Sequence, residues 1–421
     1  MWHFKKLMLF FGLLLGLGAP IVTLARPSAI NQWYLPIIIN NPVVTEVTLW
    51  HAWDFSEQSG LQAVISAFEA AHPNIKVKTQ YVLFANLRGN FETAVSSGTA
   101  PELVIGPADW GPGLLAQNKT QDLKTKIPTL LVDSLQASAR GGVEYNGALV
   151  GLPHTIKGVL LYRNRNIISS SATTYSQLKA NARAAQIEQD GIIQQYGAYL
   201  ERGPFFVMGH LEAMGGDLMS ISDGRPAFNT ATGVQWLNLL KDFATFGNTS
   251  FNTDQDMLLF LSGLVGYIID GSWNISRLSD PVEGLGASMT IDEWPTNDSG
   301  FGGGSLGGYV QTENIYLSAN ATGEQQSAAL AFMQFMLDPT AQQILLNQSK
   351  HLPSVQGMTI SNPLLQKAAM ILGNGIPFPL QPELNQYWGL MESNLPQVYS
   401  GTKTPSQALS DMENGINALI P

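Results

Sequence analysis

Between Glu46 and Ile105 the apolar residues switch repeatedly between strand-like and helical spacing, and this alternation limits the fold more than any other property of the chain. Glu46–Trp50, rich in Val, Thr and Leu, reads as a strand. Leu61, Val64, Ile65 and Phe68 then fall on one helical stripe, which Pro73 ends. Residues 75–82 alternate imperfectly, residues 87–97 return to helical spacing, and Leu103–Ile105 is a short apolar run. Strand, helix, strand, helix, strand predicts an α/β fold with a mainly parallel sheet. The same vocabulary continues downstream. Asn146-Gly147 between two short apolar stretches marks a hairpin, residues 158–162 read as a buried strand, and Val234, Leu237, Leu240 and Phe243 space a helix. Residues 264–269 form an apolar strand ending at Asp270, Gly271, Ser272 and Trp273. Residues 325–337 are apolar on one face, and Thr404, Pro405 and Gln407 give a capping box with proline at the first helical position. The glycine-rich stretch 300–308 reads as a loop or a crossing between lobes.

With 421 residues, 45% of them hydrophobic, the chain exceeds one ordinary core, so two lobes are expected. The absence of cysteine excludes disulfides, thiolate metal sites, cysteine nucleophiles and any lipid anchor on sulfur. A net charge of −10 leaves no basic field for nucleic acid or anionic lipid. Only 13% of residues are charged, so Ser, Thr, Asn and Gln must wet the surface, a mix that suits an extracytoplasmic protein. Lys5 and Lys6 precede an uncharged apolar stretch, residues 7–24, with small residues at Thr23 and Ala25. Residues 1–25 therefore read as a secretory signal peptide, with an uncleaved anchor as the alternative, and residues 26–45, with their prolines and the apolar patch 33–39, as a tether.

Enzymatic motifs are present but sit in the wrong context. Gly303, Ser305 and Gly307 match the nucleophile elbow of secreted esterases, and Asp338 and His351 follow in the required order. An elbow needs a hydrophobic strand entering and a helix leaving, whereas the approach here is polar and glycine-rich and residues 309–317 look extended. The same glycines match GxGxxG, again without strand and helix on either side. The six histidines contain no HxxxH pair and no EF-hand loop joins the acids, so no metal site and no cofactor is read from spacing. Asp254 and Asp256 read as a solvated turn. Asp54, Asp109, Asp270 and Glu293 are the candidates for a glycosidase carboxylate pair, which leaves a secreted carbohydrate-active hydrolase as an alternative.

The aromatic residues form the stronger constellation. Trp50, Trp53, Trp110, Trp273, Trp294, Tyr309 and Trp388 fall at predicted strand ends or in loops, often beside Asp or Asn, rather than inside helical stripes. A pyranose offers apolar C–H faces to an indole and a rim of hydroxyls to carboxylates and amides, so this pattern points to sugar binding.

From Val47 to its end the chain resembles the family 1 extracellular solute-binding proteins of ABC importers, the maltose-binding-protein-like group. The likeness is carried, in order, by VTLWHAW, AFEAAHPNIKV, SSGTAPELVIGPADWGPGLLAQ, YNGALVGLPHTIKGVLLYRN, AMGGDLM, RPAFNTATGVQWLNLLKDF, LVGYIIDGSWNI, ALAFMQFMLDPTAQQ and HLPS. It implies a type II periplasmic-binding-protein-like fold of two hinged α/β lobes: residues 46–154 with 308–354, and residues 155–307 with 355–421. Carried over position by position, it implies ligand contacts from Trp53, Asp54, Asp109, Trp110 and Lys157, then from Phe205, Trp273, Tyr309 and Tyr387 or Trp388. It further implies a non-enzymatic monomer, periplasmic or secreted and tethered where the leader is retained, that presents a carbohydrate to ABC permease subunits. A glycerol-phosphate-type ligand is the alternative within the family. The chain departs from the family pattern at Glu102, where Asp is usual, at Arg163 within LLYRN, and in lacking the lipobox cysteine.

Overall fold

The computed structural model describes residues 44–420; the segment read as a leader, and nearly all of that read as a tether, lie outside them. The first parallel unit comprises β1 (Thr45–His51), α1 (Phe55–Ala71), β2 (Ile75–Tyr81), α2 (Phe84–Ser97) and β3 (Leu103–Pro107). Its helices form where the sequence places apolar stripes. Leu61, Val64, Ile65 and Phe68 of α1 are all buried, and α2 buries Leu87, Phe91 and Val95 before Gly98 ends it in the left-handed region at φ 73°. Next come α3 (Trp110–Ala116), two short helices, α4 (Thr129–Asp133) and α5 (Ala137–Gly141), and the hairpin β4 (Glu144–Tyr145) and β5 (Ala148–Leu149). Asn146 and Gly147 turn that hairpin with φ of 48° and 81°, the left-handed pair a two-residue turn requires.

The long strand β6 (Leu152–Asn164) is buried throughout. It leads to α6 (Tyr175–Ala185), β7 (Ile187–Gln189), β8 (Ile192–Glu201), α7 (Pro204–Ala213), α8 (Ala231–Asp242) and β9 (Asn248–Ser250). Then follow α9 (Gln255–Leu261), β10 (Val265–Gly271), α10 (Ile275–Leu278), β11 (Met289–Asp292) and β12 (Tyr309–Leu317). The chain closes with α11 (Gly323–Phe335), α12 (Pro339–Gln348), α13 (Pro363–Gly373), β13 (Ile376–Pro377), α14 (Tyr387–Tyr399) and α15 (Pro405–Leu419). The capping box expected at Thr404 and Gln407 opens α15.

The strand order β2-β1-β3-β12-β6-β10-β8 passes through both lobes. Up to Gly158, β6 pairs with β12; from Val159 onward it pairs with β10, so a single strand joins the two sheets. A Cβ at residue 158 would lie 2.5 Å from the carbonyl oxygen of Tyr309 and 2.6 Å from Leu372 Cδ2, which makes this position glycine for steric reasons.

Register fixes where a ligand can sit. β12 is antiparallel to both β3 and β6, and β1 and β2 are parallel to β3, so all three strands of the first lobe run toward the second. β10 is antiparallel to β6 and parallel to β8, which is parallel to β9, so these three run toward the first lobe. The carboxyl ends of both parallel sets therefore face one another across the crossing strands, the place where open α/β sheets bind ligands. The first sheet carries α1, α11 and α12 on one face and α2 and α3 on the other; the second carries α6, α7, α8, α14 and α15 around a separate core on one face, while its other face, with α9, α10 and α13, shares the core of α1, α11 and α12.

Candidate binding cleft

Of the two residues expected in the cleft after β1, Asp54 lies at the surface and Trp53 in the core. Asp54 is exposed, and its carbonyl accepts the amides of Glu57 and Gln58 to start α1. Trp53 is only 1% exposed: its indole N–H donates to Glu313 Oε2 at 2.9 Å and its ring meets His351 edge-on with centroids 4.7 Å apart. At the end of β3, Asp109 is buried and Trp110 stacks on Phe84 at 5.7 Å, with Phe84 itself exposed. Burial pushes the Asp109 carboxyl up to about 6, against the opposing pull of the Arg88 guanidinium.

Lys157 stands on β6, one residue before the strand changes sheets. Its ammonium donates to Glu57 at 3.0 Å and contacts Glu313 at 2.8 Å, so its charge is committed within the protein. Burial alone would lower this amine, but Glu313 and Glu57 outweigh it and push Lys157 up to about 12. Burial likewise favours neutral carboxyls, yet the Lys157 charge and histidine contacts hold both Glu57 and Glu313 below the usual range. His351 Nε2 lies 2.6 Å from Glu57, and His154 Nε2 lies 3.3 Å from Glu313. Burial keeps His154 below its ordinary value despite Glu313. Lys157, Glu57 and Glu313, with His154 and His351 hydrogen-bonded to the two carboxylates, thus lock the first lobe to the crossing strands.

The second lobe supplies a run of rings. Pro204 starts α7 where β8 ends and places Phe205 and Phe206 beside Trp273, with centroids 5.9 and 6.3 Å away. Phe205 meets Phe378 at 5.4 Å, and Phe378 stacks with Trp388 at 6.2 Å. Phe205, Phe206, Trp273 and Trp388 are half-buried, each with a surface left for a ligand. Tyr309 and Tyr387 lie beneath this layer. Both are fully buried, Tyr309 donating to Glu212 at 2.7 Å and Tyr387 to the Gly224 carbonyl at 2.8 Å. They support the platform from below, whereas Trp388 faces outward.

The structure corrects one reading of the acids. Asp254 is exposed, but Asp256, expected in the same solvated turn, is 4% exposed because the first turn of α9 tucks it against Glu201 and Ser250. Burial and Glu201 push it up to about 7. Asp270 is pushed up to about 8 by burial, despite accepting the Gly271 amide at 2.6 Å and Asn274 Nδ2 at 2.9 Å. The esterase-like trio is dispersed. Ser305 lies in the glycine-rich loop with no strand entering and no helix leaving, Asp338 caps α12 through Thr340, and His351 is engaged with Glu57.

Phe84, Phe206 and Phe378 escaped the sequence reading, as did the partners of Lys157. Phe84 follows the end of β2, so the strand-end rule that marked Trp110 would have found it. Phe378, between two prolines, and Arg88, inside a helix, carry no such signal.

Facing strand ends, a strand shared by both sheets and an aromatic floor define a two-lobe ligand-binding protein. The chain belongs to the bacterial extracellular solute-binding protein family, whose profile matches residues 63–370. It is similar to the maltotriose-binding protein of Pyrococcus abyssi, 21% identical over 377 residues that cover 85% of this chain and 78% of that one. The galactooligosaccharide-binding protein of Bacillus subtilis is 22% identical over 398 residues, 87% of each. Among solved structures, the maltose/maltodextrin-binding domain MalE from Bdellovibrio bacteriovorus, bound to maltotriose, superposes with a TM-score of 0.79 at 21% identity, covering 89% of this chain and 100% of that one. The GacH receptor of Streptomyces glaucescens, solved unliganded and with acarbose, gives 0.78 at 19% identity over 90% of this chain and 98% of that one.

Proposed function

We propose that this protein captures a neutral oligosaccharide between its lobes outside the cytoplasmic membrane and presents it, unaltered, to the permease of an ABC importer. The observation that carries the reading is the second lobe's aromatic run Trp273–Phe205–Phe378–Trp388, half-buried except for the buried Phe378, together with Asp109 and Trp110 just beyond the carboxyl end of β3 in the first lobe. Rings stack on the C–H faces of pyranoses, and carboxylates take their hydroxyls in charge-assisted hydrogen bonds. Stacking on two or three rings with a few such bonds is compatible with micromolar affinity, about −8 kcal/mol. The oligosaccharide-binding relatives support the same ligand class.

The lobe limits at residues 154/155, 307/308 and 354/355 set the hinge in this reading, with the protein acting as a monomer. Because ligand touches both lobes only when they meet, binding draws the hinge equilibrium toward the closed form, which the permease recognises. Mass spectrometry of ligand co-purified from the native source, followed by calorimetry with that compound, tests the proposal. A saccharide recovered intact and bound at micromolar strength is expected; a non-carbohydrate ligand, or hydrolysis of the saccharide, overturns it.

A further inference from the structure

On the face of the first sheet that carries α2 and α3, the lobes meet away from the crossing strands. Arg88 Nη1 on α2 donates to Asn385 Oδ1, in the turn just before α14, at 2.6 Å. Both groups are held in place. Arg88 Nε donates to Glu92 at 2.9 Å, one helical turn along, and Asn385 Nδ2 donates to the Pro382 carbonyl at 3.0 Å. Helix α3 passes close beneath: a Cβ at Gly113 would lie 3.1 Å from Arg88 Nη2 and 3.5 Å from Asn385 Nδ2.

The position of this bridge is its point of interest. Arg88 lies one turn beyond Phe84, the ring stacked on Trp110, and its guanidinium acts on the Asp109 carboxyl. Asn385 precedes Trp388, the outer ring of the second lobe's platform, by three residues. The cleft runs along the facing strand ends and so opens toward each face of the sheets. The bridge joins α2 to the turn before α14 on the face that carries α2 and α3.

We infer that the Arg88–Asn385 bridge closes one end of the cleft and selects for short glycans, because a longer chain must break the bridge to pass between α2 and the turn at 382–386. The inference rests on the carbohydrate reading above. Arg88 and Asn385 are specificity-determining residues in it, making no demand on the sugar's identity and acting on its length. A half-buried, charge-assisted guanidinium–amide hydrogen bond costs free energy to open, which sets a discrimination of about tenfold against chains that overrun the end.

The test is calorimetric titration of the maltose-to-maltoheptaose series and a matched galacto-oligosaccharide series into the full-length protein, Arg88→Ala and Asn385→Ala. A step of about tenfold in Kd between short and long chains is expected for the unmodified protein, flattened to about threefold or less in both variants. Arg88→Lys, which keeps the charge but not the planar fork, should fall between them. Urea midpoints establish that the variants fold, and Asn385→Ala, which leaves the Arg88–Glu92 pair intact, carries the test alone if Arg88→Ala does not. Equal weakening at every length, with the step retained, would make the bridge a closure latch and overturn the inference, as would absence of a step in the unmodified protein. If a ligand of another chemistry binds and no saccharide does, the carbohydrate reading fails and this one fails with it.

Discussion

Replacing Lys157 by Met removes a cation while keeping most of its stem volume, and the structure sets the scale of the loss. Glu313 and Glu57 push the amine up from 10.5 to about 12 in the folded chain, worth about 2 kcal/mol net of its own burial. Its loss also leaves Glu57 and Glu313 buried without their shared cation, which raises the expected destabilisation at pH 7.5 to about 3–5 kcal/mol. The pH dependence follows from the directions of the shifts. In the unmodified protein both carboxyls lie below the usual range, so their contribution is present above about 4.5 and is lost only as the pH falls through their depressed values. The Lys157 contribution is fully present below 10.5 and is lost as the pH rises through about 12. Without the cation, burial dominates and the carboxyls of the variant move up. The folded variant then takes up protons between pH 7.5 and 5, recovering about half of the difference. Urea unfolding followed by tryptophan fluorescence at both pH values measures this. A loss under about 1 kcal/mol at pH 7.5, or one that does not shrink on acidification, refutes the reasoning.

Other expected outcomes follow from single side chains. Trp273→Ala removes a half-buried ring of the platform and should weaken oligosaccharide binding about ten- to a hundredfold by calorimetry, with little change in Tm. Asp109→Asn removes a carboxyl that burial has raised from 3.8 to about 6. Such a group costs stability above pH 6, so the variant should gain up to about 3 kcal/mol unliganded at pH 7.5, with the gain gone by about pH 4, while losing affinity for sugar. Gly158→Val forces a side chain into the Tyr309 carbonyl and should cost about 3 kcal/mol in urea unfolding.

The parallel unit of the first lobe was readable because its helices and strands obey their periods: β1, α1, β2, α2 and β3 appear where the apolar spacing predicts them. The NG hairpin and the Thr404 cap were equally legible, since each depends on a few adjacent residues. The length of β6 was not. It is buried on every side, so no alternation marks where it begins at Leu152 or changes sheets after Gly158. Trp273, Phe205 and Trp388 lie together in the second lobe, at sites the family likeness supplied. Lys157 illustrates what a linear reading lacks: its neighbours Glu57 and Glu313 stand 100 and 156 residues away in sequence, and only the crossing strands bring them within 3.0 Å. Asp256 differs from Asp254 in burial because a helix begins between them, a boundary too fine for composition to fix.

Small-angle scattering on the full chain, with and without its co-purified saccharide at saturating concentration, tests capture by closure most directly. Hinged lobes drawn onto a shared ligand require a smaller radius of gyration in the liganded sample, reversed when the sugar is dialysed away. Superimposable profiles with calorimetrically confirmed binding would contradict it.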